Sequence, residues 1–271
     1  MCICCYAIDS FSLVHTYDEK PERETDFSFP DYYREIKCCT QCGHFLSRTP
    51  LDLSALYQFD YVDSTYGGMK GIQEKFREIM SLRSEKSDNF GRVEKIVEYA
   101  KTHFSSVSNL TILDVGGGLG VFLALIRKRT DWNCTSIEPD ARLSKHINED
   151  LGIESLTSDY RTLRGDRKFD IICMNKVLEH IEEPLGFLEK AKYDLKPNGF
   201  IYLELPDGEK ACLDPIGFER EEFFIEHHHA FSMKSMKLLS QNAGLETAFA
   251  ERLCEPSSKY TLRSFLINSI N

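Results

Sequence analysis

The stretch Leu113-Asp114-Val115-Gly116-Gly117-Gly118-Leu119-Gly120 decides the fold of this chain of 271 residues. An apolar run at 111–116 leads into the glycines, and a segment with helical character follows at 121–129. Glycine allows positive φ angles and lets a ligand approach the backbone closely, while a following helix offers free N–H groups at its N-terminus. We therefore predict a strand, a ligand-binding turn and a helix here.

The surrounding sequence repeats this alternation of strand and helix. Short apolar runs at 133–139, 168–175 and 199–206 are separated by helical stretches, which is typical of an α/β protein with a parallel sheet covered by helices. The runs 245–253 and 260–270 are separated by a short link and predict a terminal antiparallel pair.

An acidic residue indicates what the turn binds. Glu138 follows Gly118 by 20 residues, at the end of the second predicted strand, where a carboxylate accepts hydrogen bonds from ribose hydroxyls. A dinucleotide fingerprint needs a small residue at the third glycine position, and Val121 stands there instead. The residues therefore predict a nucleoside-containing ligand and disfavour an NAD-dependent dehydrogenase.

These residues resemble the class I methyltransferases that use S-adenosylmethionine (SAM). The first motif is Leu113–Gly120, and the resemblance extends over about residues 109–271 through five further segments: 136–140, 158–160, 169–184, 195–206 and 228–232. It implies a Rossmann-like class I methyltransferase fold, with a mostly parallel seven-stranded sheet and a terminal antiparallel strand.

The resemblance also implies a cofactor site. It places Gly116, Gly118 and Gly120 beneath the methionine and ribose of SAM, Asp114 near the amino group and Glu138 at the ribose. The remaining cofactor-binding residues follow from the later motifs: Asp159 at the adenine amino group, Tyr160 beside it, and Asn175 after the fourth strand.

Six of the ten cysteines lie within the first 42 residues. The N-terminus lacks a basic export-signal region and no apolar stretch is long enough to span a membrane, so we expect a cytoplasmic protein, where clustered cysteines favour metal over disulfides. Two C-x-x-C pairs predict structural Zn²⁺ in a zinc-ribbon-like module: Cys2 with Cys5, and Cys39 with Cys42. Cys4 and Cys38 leave the ligand register open, and S-acylation or inert thiols are the alternatives.

Three regions are predicted: a zinc-binding module at 1–66, a helical linker or cap at 67–108 and a SAM-binding domain at 109–271. The middle region reads as two amphipathic helices joined around Asp88 to Gly91. The segments 35–46 and 56–68 are similar to those of sugar methyltransferases that begin with a cysteine-bearing module. This resemblance implies a sugar or nucleotide sugar as substrate, with Tyr61 and Tyr66 as candidate contacts.

Methyl transfer needs a base only if the acceptor loses a proton. His180, Glu226 and His227 are the candidate catalytic residues, with His227 as the candidate base. The related sugar C-methyltransferases carry Tyr-x-Glu-His, whereas this chain has Phe224 at the tyrosine position, which leaves C- and O-methylation both open. The histidines could also simply shape the pocket.

The formal charge of −10 disfavours nucleic acid and leaves a small molecule as the expected partner. The sequence does not predict an oligomeric state. Two rival interpretations remain: a methyltransferase for a non-sugar small molecule, and a noncatalytic SAM-fold protein whose zinc module binds a partner.

Overall fold

The computed structural model describes residues 1–27, 29, 31–53, 67–163 and 167–269. The candidate substrate contacts Tyr61 and Tyr66 lie outside the described residues. Strands form over the following ranges: β1 Phe11–Tyr17, β2 Arg34–Cys39, β3 Phe45–Arg48, β4 Thr111–Val115, β5 Asn133–Ile137, β6 Glu154–Leu156, β7 Phe169–Asn175, β8 Leu195–Pro206, β9 His229–Ala230, β10 Leu245–Cys254 and β11 Tyr260–Asn268.

The larger sheet has seven strands in the order β10-β11-β8-β7-β4-β5-β6. Strands β4 to β8 pair in parallel, and β11 runs antiparallel to both of its neighbours. The predicted mostly parallel sheet with a terminal antiparallel strand is confirmed. Because β4 and β5 are neighbouring parallel strands, their carboxyl ends bring the glycine turn and Glu138 to the same edge.

Seven α-helices accompany the strands in the described residues: α1 Met69–Met80, α2 Asp88–His103, α3 Val121–Arg129, α4 Ala141–Lys145, α5 Leu185–Asp194, α6 Gly208–Ala211 and α7 Met233–Asn242. The sequence placed the link between the first two helices around 88–91. Instead α2 begins at Asp88, because the Ser87 hydroxyl accepts a hydrogen bond from the Phe90 N–H and caps it. No helix of the described residues is long and apolar enough to span a membrane.

A second sheet joins the N-terminal region to the rest of the chain. Its order is β1-β2-β3-β9, all antiparallel. Strand β9 belongs to the region predicted as the SAM-binding domain, so this sheet connects the N-terminal region to that predicted domain. The segment just before β9 carries Glu226 and His227, which ties their position to the N-terminal sheet.

A buried cluster of charged side chains links α2 to β8 and β11 of the larger sheet. Glu204 of β8 is fully buried and accepts hydrogen bonds from Arg92 at 2.9 and 2.5 Å and from Arg263 at 3.1 Å. Burial alone would raise the pKa of Glu204, but the two guanidinium groups lower it to about 2. The carboxylate is therefore ionised at neutral pH and fully compensated.

Candidate active site

The glycine turn connects β4 to α3. Gly116, Gly118 and Gly120 adopt φ angles of 72°, 52° and 73°, where side chains are strained. A Cβ at Gly117 would lie 2.1 Å from Ser136 Oγ, whereas a Cβ at Gly118 would meet nothing within 4 Å. The turn is thus packed tightly against β5 and open on its other side, where a ligand can approach Gly118.

Not every glycine of the motif faces this opening. Gly116 and Gly118 line it, but Gly120 is the N-cap of α3, and a Cβ there would lie 2.7 Å from Leu151 Cδ1. Gly120 therefore packs closely against Leu151, and its predicted place beneath the cofactor stays a prediction. The role of Gly117 went unpredicted, although the triple glycine was its signal.

Glu138 lies at the end of β5 beside the turn and is 6% exposed. Its carboxylate accepts hydrogen bonds from the Gly118 N–H at 2.8 Å and the Asp140 N–H at 3.0 Å, one on each oxygen. Burial raises its pKa, while these two backbone donors oppose the rise. A carboxylate has about four acceptor positions, so it retains two for a ligand such as a vicinal diol.

Asp114 and Asn175 form a polar pair beneath the turn. Asn175 Nδ2 donates to Asp114 Oδ1 at 2.9 Å, and the buried Asn175 Oδ1 has no partner among the described residues. Burial raises the pKa of Asp114 to about 8, although the hydrogen bond from Asn175 opposes the rise. A cationic ligand group above this pair would stabilise the ionised carboxylate.

Asp159 and Tyr160 line the far wall. The Tyr160 hydroxyl donates to Asp194 Oδ2 at 2.9 Å, which fixes the ring. Asp159 pairs with Arg161 at 2.6 Å and is partly exposed. The hydrogen bonds from Arg161 outweigh the effect of burial and lower the pKa of Asp159.

Gly116, Gly118, Glu138, Asp159 and Tyr160 line one cleft of about 600 Å³, within the range of small-molecule sites, whereas Asp114 and Asn175 are not part of its lining. Its lining also includes side chains to which the sequence analysis gave no role in the cleft: Pro139, Asp140, Leu143, Arg161, Lys176, Val177, Ile181, Glu182, Phe187 and His228. Most of them come soon after the ends of β5 and β7, and that position is the signal that could have found them.

His180 and Glu226 also line this cleft, whereas His227, which packs against His180, does not. The two imidazole rings are 4.7 Å apart and meet edge to face. His180 Nδ1 bonds the Glu226 carbonyl oxygen at 2.9 Å, and His227 Nδ1 bonds the Glu222 carbonyl oxygen at 3.1 Å. Since a carbonyl only accepts, each Nδ1 carries the proton and each Nε2 is left basic.

Burial lowers the pKa of His180, although the Glu226 carboxylate opposes this effect. Burial also lowers the pKa of His227, and the neighbouring His180 adds to the decrease. Both rings are therefore neutral near pH 7. His180 lines the cleft and His227 does not, and the role of His227 as the base stays a prediction.

A buried ion pair of the N-terminal region holds this end of the cleft in place. Glu24 and Arg34 lie 3.2 Å apart, and both side chains are fully buried. Glu24 Oε2 accepts a hydrogen bond from the Ile225 N–H at 2.6 Å, and Arg34 donates to the Phe223 carbonyl oxygen. The pair thereby fixes the backbone that leads into Glu226.

The four thiols predicted as zinc ligands lie together. Cys2 Sγ is 3.6 Å from Cys42 Sγ, and Cys5 Sγ is 3.6 Å from Cys39 Sγ. All four sulfurs lie within 4.8 Å of one another, and Cys4 and Cys38 are not part of the group. Tetrahedral Zn²⁺ with bonds of about 2.3 Å needs sulfurs about 3.8 Å apart, so the four thiols fit a zinc ion.

The comparisons with known proteins come from sequence and structure. Residues 77–248 match the methyltransferase domain family. The "Ubiquinone biosynthesis O-methyltransferase" of Rickettsia typhi is 30% identical over 48% of this chain and 58% of the relative, and that of Rickettsia bellii is 28% identical over 49% and 61%. A "tRNA U34 carboxymethyltransferase" of Pseudoalteromonas atlantica is 29% identical over 40% and 35%. The chain spans about 60% of the ubiquinone-pathway relatives.

Solved structures show the same fold. The magnesium protoporphyrin IX methyltransferase of Synechocystis PCC 6803 with bound S-adenosylhomocysteine (SAH) has a TM-score of 0.59 and 16% identity, covering 80% of this chain and all of that one. A SAM-dependent methyltransferase of Clostridium acetobutylicum has a TM-score of 0.54 and 14% identity, covering 73% and 99%. At 14–16% identity, these similarities show that the fold is shared and nothing beyond the fold.

Proposed function

This chain belongs to the methyltransferase domain family, and from that premise we propose that it is a SAM-dependent methyltransferase with a small-molecule acceptor, most specifically a sugar or nucleotide sugar. The observation that carries the proposal is a single cleft that is lined both by the glycine turn and Glu138, which we take as its cofactor end, and by His180 and Glu226, which we take as its acceptor end. Such a cleft suits a direct transfer between two bound molecules, where alignment supplies most of the rate.

We propose that the cofactor end holds SAM. Glu138 accepts the ribose hydroxyls with its two remaining acceptor positions, and we assign Asp114, which Asn175 holds by a hydrogen bond, to the SAM amino group, as the resemblance implies. Asp159 and Tyr160 take the adenine, because both line the same cleft as Glu138. Bound there, SAM would supply its methyl group in the cleft that His180 also lines.

We propose that His180 removes the acceptor proton through its Nε2. His227 and Glu226 are positioning residues: Glu226 holds the His180 ring through its backbone carbonyl, and His227 packs against that ring. The proton passes to His180 as the acceptor atom bonds the methyl carbon and the C–S bond breaks. A histidine kept neutral by burial suits this step, because the free base is present at neutral pH.

We propose that Cys2, Cys5, Cys39 and Cys42 hold a structural zinc ion. Four thiolates leave no open coordination position, so the ion stabilises the N-terminal region without entering the reaction. This region contacts α7, where Asn242 Nδ2 donates to the Cys4 carbonyl oxygen at 2.9 Å and Ser232 Oγ donates to the Cys42 carbonyl oxygen at 2.5 Å. We keep the division of the chain into the three regions 1–66, 67–108 and 109–271 as a proposal.

The sugar acceptor rests on the resemblance of the cysteine-bearing region, and a second candidate rests on the curated relatives. Their printed name favours O-methylation of a non-sugar hydroxyl, and Phe224 at the tyrosine position of the C-methyltransferase pattern agrees with O-methylation. The net charge of −10 favours small acceptors over tRNA for this chain.

One assay separates these candidates. Purified protein with SAM is incubated with nucleotide sugars, free sugars and small phenols, and SAH release is measured for each. Turnover with a nucleotide sugar above the no-acceptor rate supports the sugar proposal, whereas turnover with phenols alone contradicts it. SAM binding without turnover on any acceptor favours the noncatalytic interpretation.

A further inference from the structure

One charged side chain at the acceptor end has no role in the mechanism proposed so far. Lys176 follows β7 directly and lines the cleft together with His180. Its φ is 59°, in the left-handed region that residues other than glycine rarely adopt. Such strain persists where surrounding structure holds it, and it is enriched at functional sites.

The Lys176 ammonium is incompletely satisfied. Nζ donates to Thr261 Oγ1 at 2.7 Å, and no carboxylate of the described residues lies within 4.0 Å of it. An ammonium carries three donors, so two remain for other groups. A cation at the edge of a cleft with spare donors is placed to bind an anionic oxygen.

Glu179 opposes the effect of burial on the pKa of this ammonium. It is fully buried, and neither carboxylate oxygen has a hydrogen-bond partner among the described residues. Burial lowers the pKa of Lys176, and Glu179 is the strongest of the carboxylates that oppose this, ahead of Glu204 and Glu255, while Arg92 acts in the other direction. The positive charge of Lys176 also contributes to lowering the pKa of His180 and the pKa of His227.

We propose that Lys176 is a further catalytic residue that binds the reacting oxygen of the acceptor and stabilises its oxyanion, so that the acceptor group is a hydroxyl, whether of a sugar or of a phenol. This rests on the proposed function, since it names the substrate class of that cleft. His180 Nε2 takes the hydroxyl proton, and the oxygen forms its bond to the methyl carbon. The C–S electron pair returns to sulfur to give neutral SAH, and the proton leaves from His180 to water.

The experiment uses 4-nitrophenol as the probe, because its phenolate absorbs visible light and its phenol does not. The full chain with SAH bound is titrated with the probe across pH, and the ionisation of the bound probe is compared with that of the free probe. We expect the protein to increase the acid dissociation constant of the bound probe by about tenfold, since one cation replaces water around the oxygen.

Two variants test whether Lys176 causes the increase in the acid dissociation constant of the bound probe. Lys176→Met should abolish the tenfold increase while SAM binding stays within threefold. Lys259→Met is the matched control, because Lys259 lies in the same neighbourhood but pairs with Glu221 at 2.9 Å, and it should retain the increase.

The proposal is overturned if the wild-type protein binds no phenolate or leaves its ionisation unchanged, and also if the increase persists in Lys176→Met. The wild-type titration decides even where the variant fails to fold. Loss of SAM binding by the wild-type protein would instead contradict the proposed function, so the two failures are distinguishable.

Discussion

Replacing Glu138 by Gln tests the cofactor end of the cleft most sharply. The amide keeps the shape of the side chain but offers only one oxygen to the four donors we assign to it: the Gly118 N–H, the Asp140 N–H and two ribose hydroxyls. Because the side chain is 6% exposed, water cannot replace the lost acceptor. The substitution should therefore weaken SAM binding without changing the fold.

The magnitude is set by the bonds lost. Each hydrogen bond to a charged group is worth about 1.5–3 kcal/mol, and the two ribose hydroxyls lose their ionised partner. A total of about 3 kcal/mol corresponds to about 150-fold in the dissociation constant. Isothermal titration calorimetry with SAM measures this directly.

A matched control is Glu154→Gln on the neighbouring strand β6. Glu154 pairs with Arg167 at 2.6 Å and does not line the cleft, so its replacement should change SAM affinity by less than threefold. Our reasoning is refuted if Glu138→Gln binds SAM within threefold of wild type, or if both variants lose affinity equally.

The same geometry leads to four further predictions. Burial raises the pKa of Asp114 to about 8, and a cationic SAM amino group near it should promote its ionisation. SAM binding should therefore release a proton at pH 7, and the affinity for SAM should rise from pH 6 to pH 8. Calorimetric titrations in two buffers of different ionisation enthalpy measure the proton release. His180→Gln should lower kcat by about 10²–10⁴-fold with SAM affinity retained, and the wild-type rate should fall only below pH 6.5, since burial lowers the pKa of the base. Glu24→Gln should lower the free energy of unfolding by about 3–5 kcal/mol, measured by urea denaturation, because it leaves Arg34 charged and buried. Metal analysis should find one zinc per chain, and Cys39→Ser should lower both zinc content and melting temperature.

Each of these predictions has its own control and contradicting result. Asp114→Asn should remove the pH dependence of SAM affinity, and its persistence would assign the proton to another group. His103→Gln, which changes a histidine bonded to the Asn198 carbonyl oxygen, should leave kcat unchanged, and an equal loss there would count against His180. If Glu24→Gln has the same free energy of unfolding as the wild type, the Glu24–Arg34 pair does not stabilise the backbone that leads into Glu226. Less than half an equivalent of zinc would contradict the metal site.

The fold could be predicted from the sequence because its signals are local. The run into Gly116, the helix at 121–129 and the last two strands each arise from short patterns of apolar residues, and the structure places them in the predicted sheet. The start of α2 was missed, since the capping Ser87 outweighs the apparent break at Gly91.

The site could be predicted only in part. Residues carried by the strand ends, such as Gly118 and Glu138, were found because a strand fixes the direction of the residues immediately after it. The roles of His180 and His227 could not be separated, because which ring faces the cleft depends on backbone carbonyls supplied by residues 222 and 226. Likewise, no local pattern connects Glu24 with Ile225, whose contact arises only after the second sheet has formed.

The central claim is that this cleft holds SAM, and equilibrium binding to the wild-type protein tests it most directly. Calorimetry should show one SAM bound per chain, displaced competitively by SAH, with no binding of NAD. Absence of SAM binding up to millimolar concentration, or binding of NAD in its place, would contradict the account.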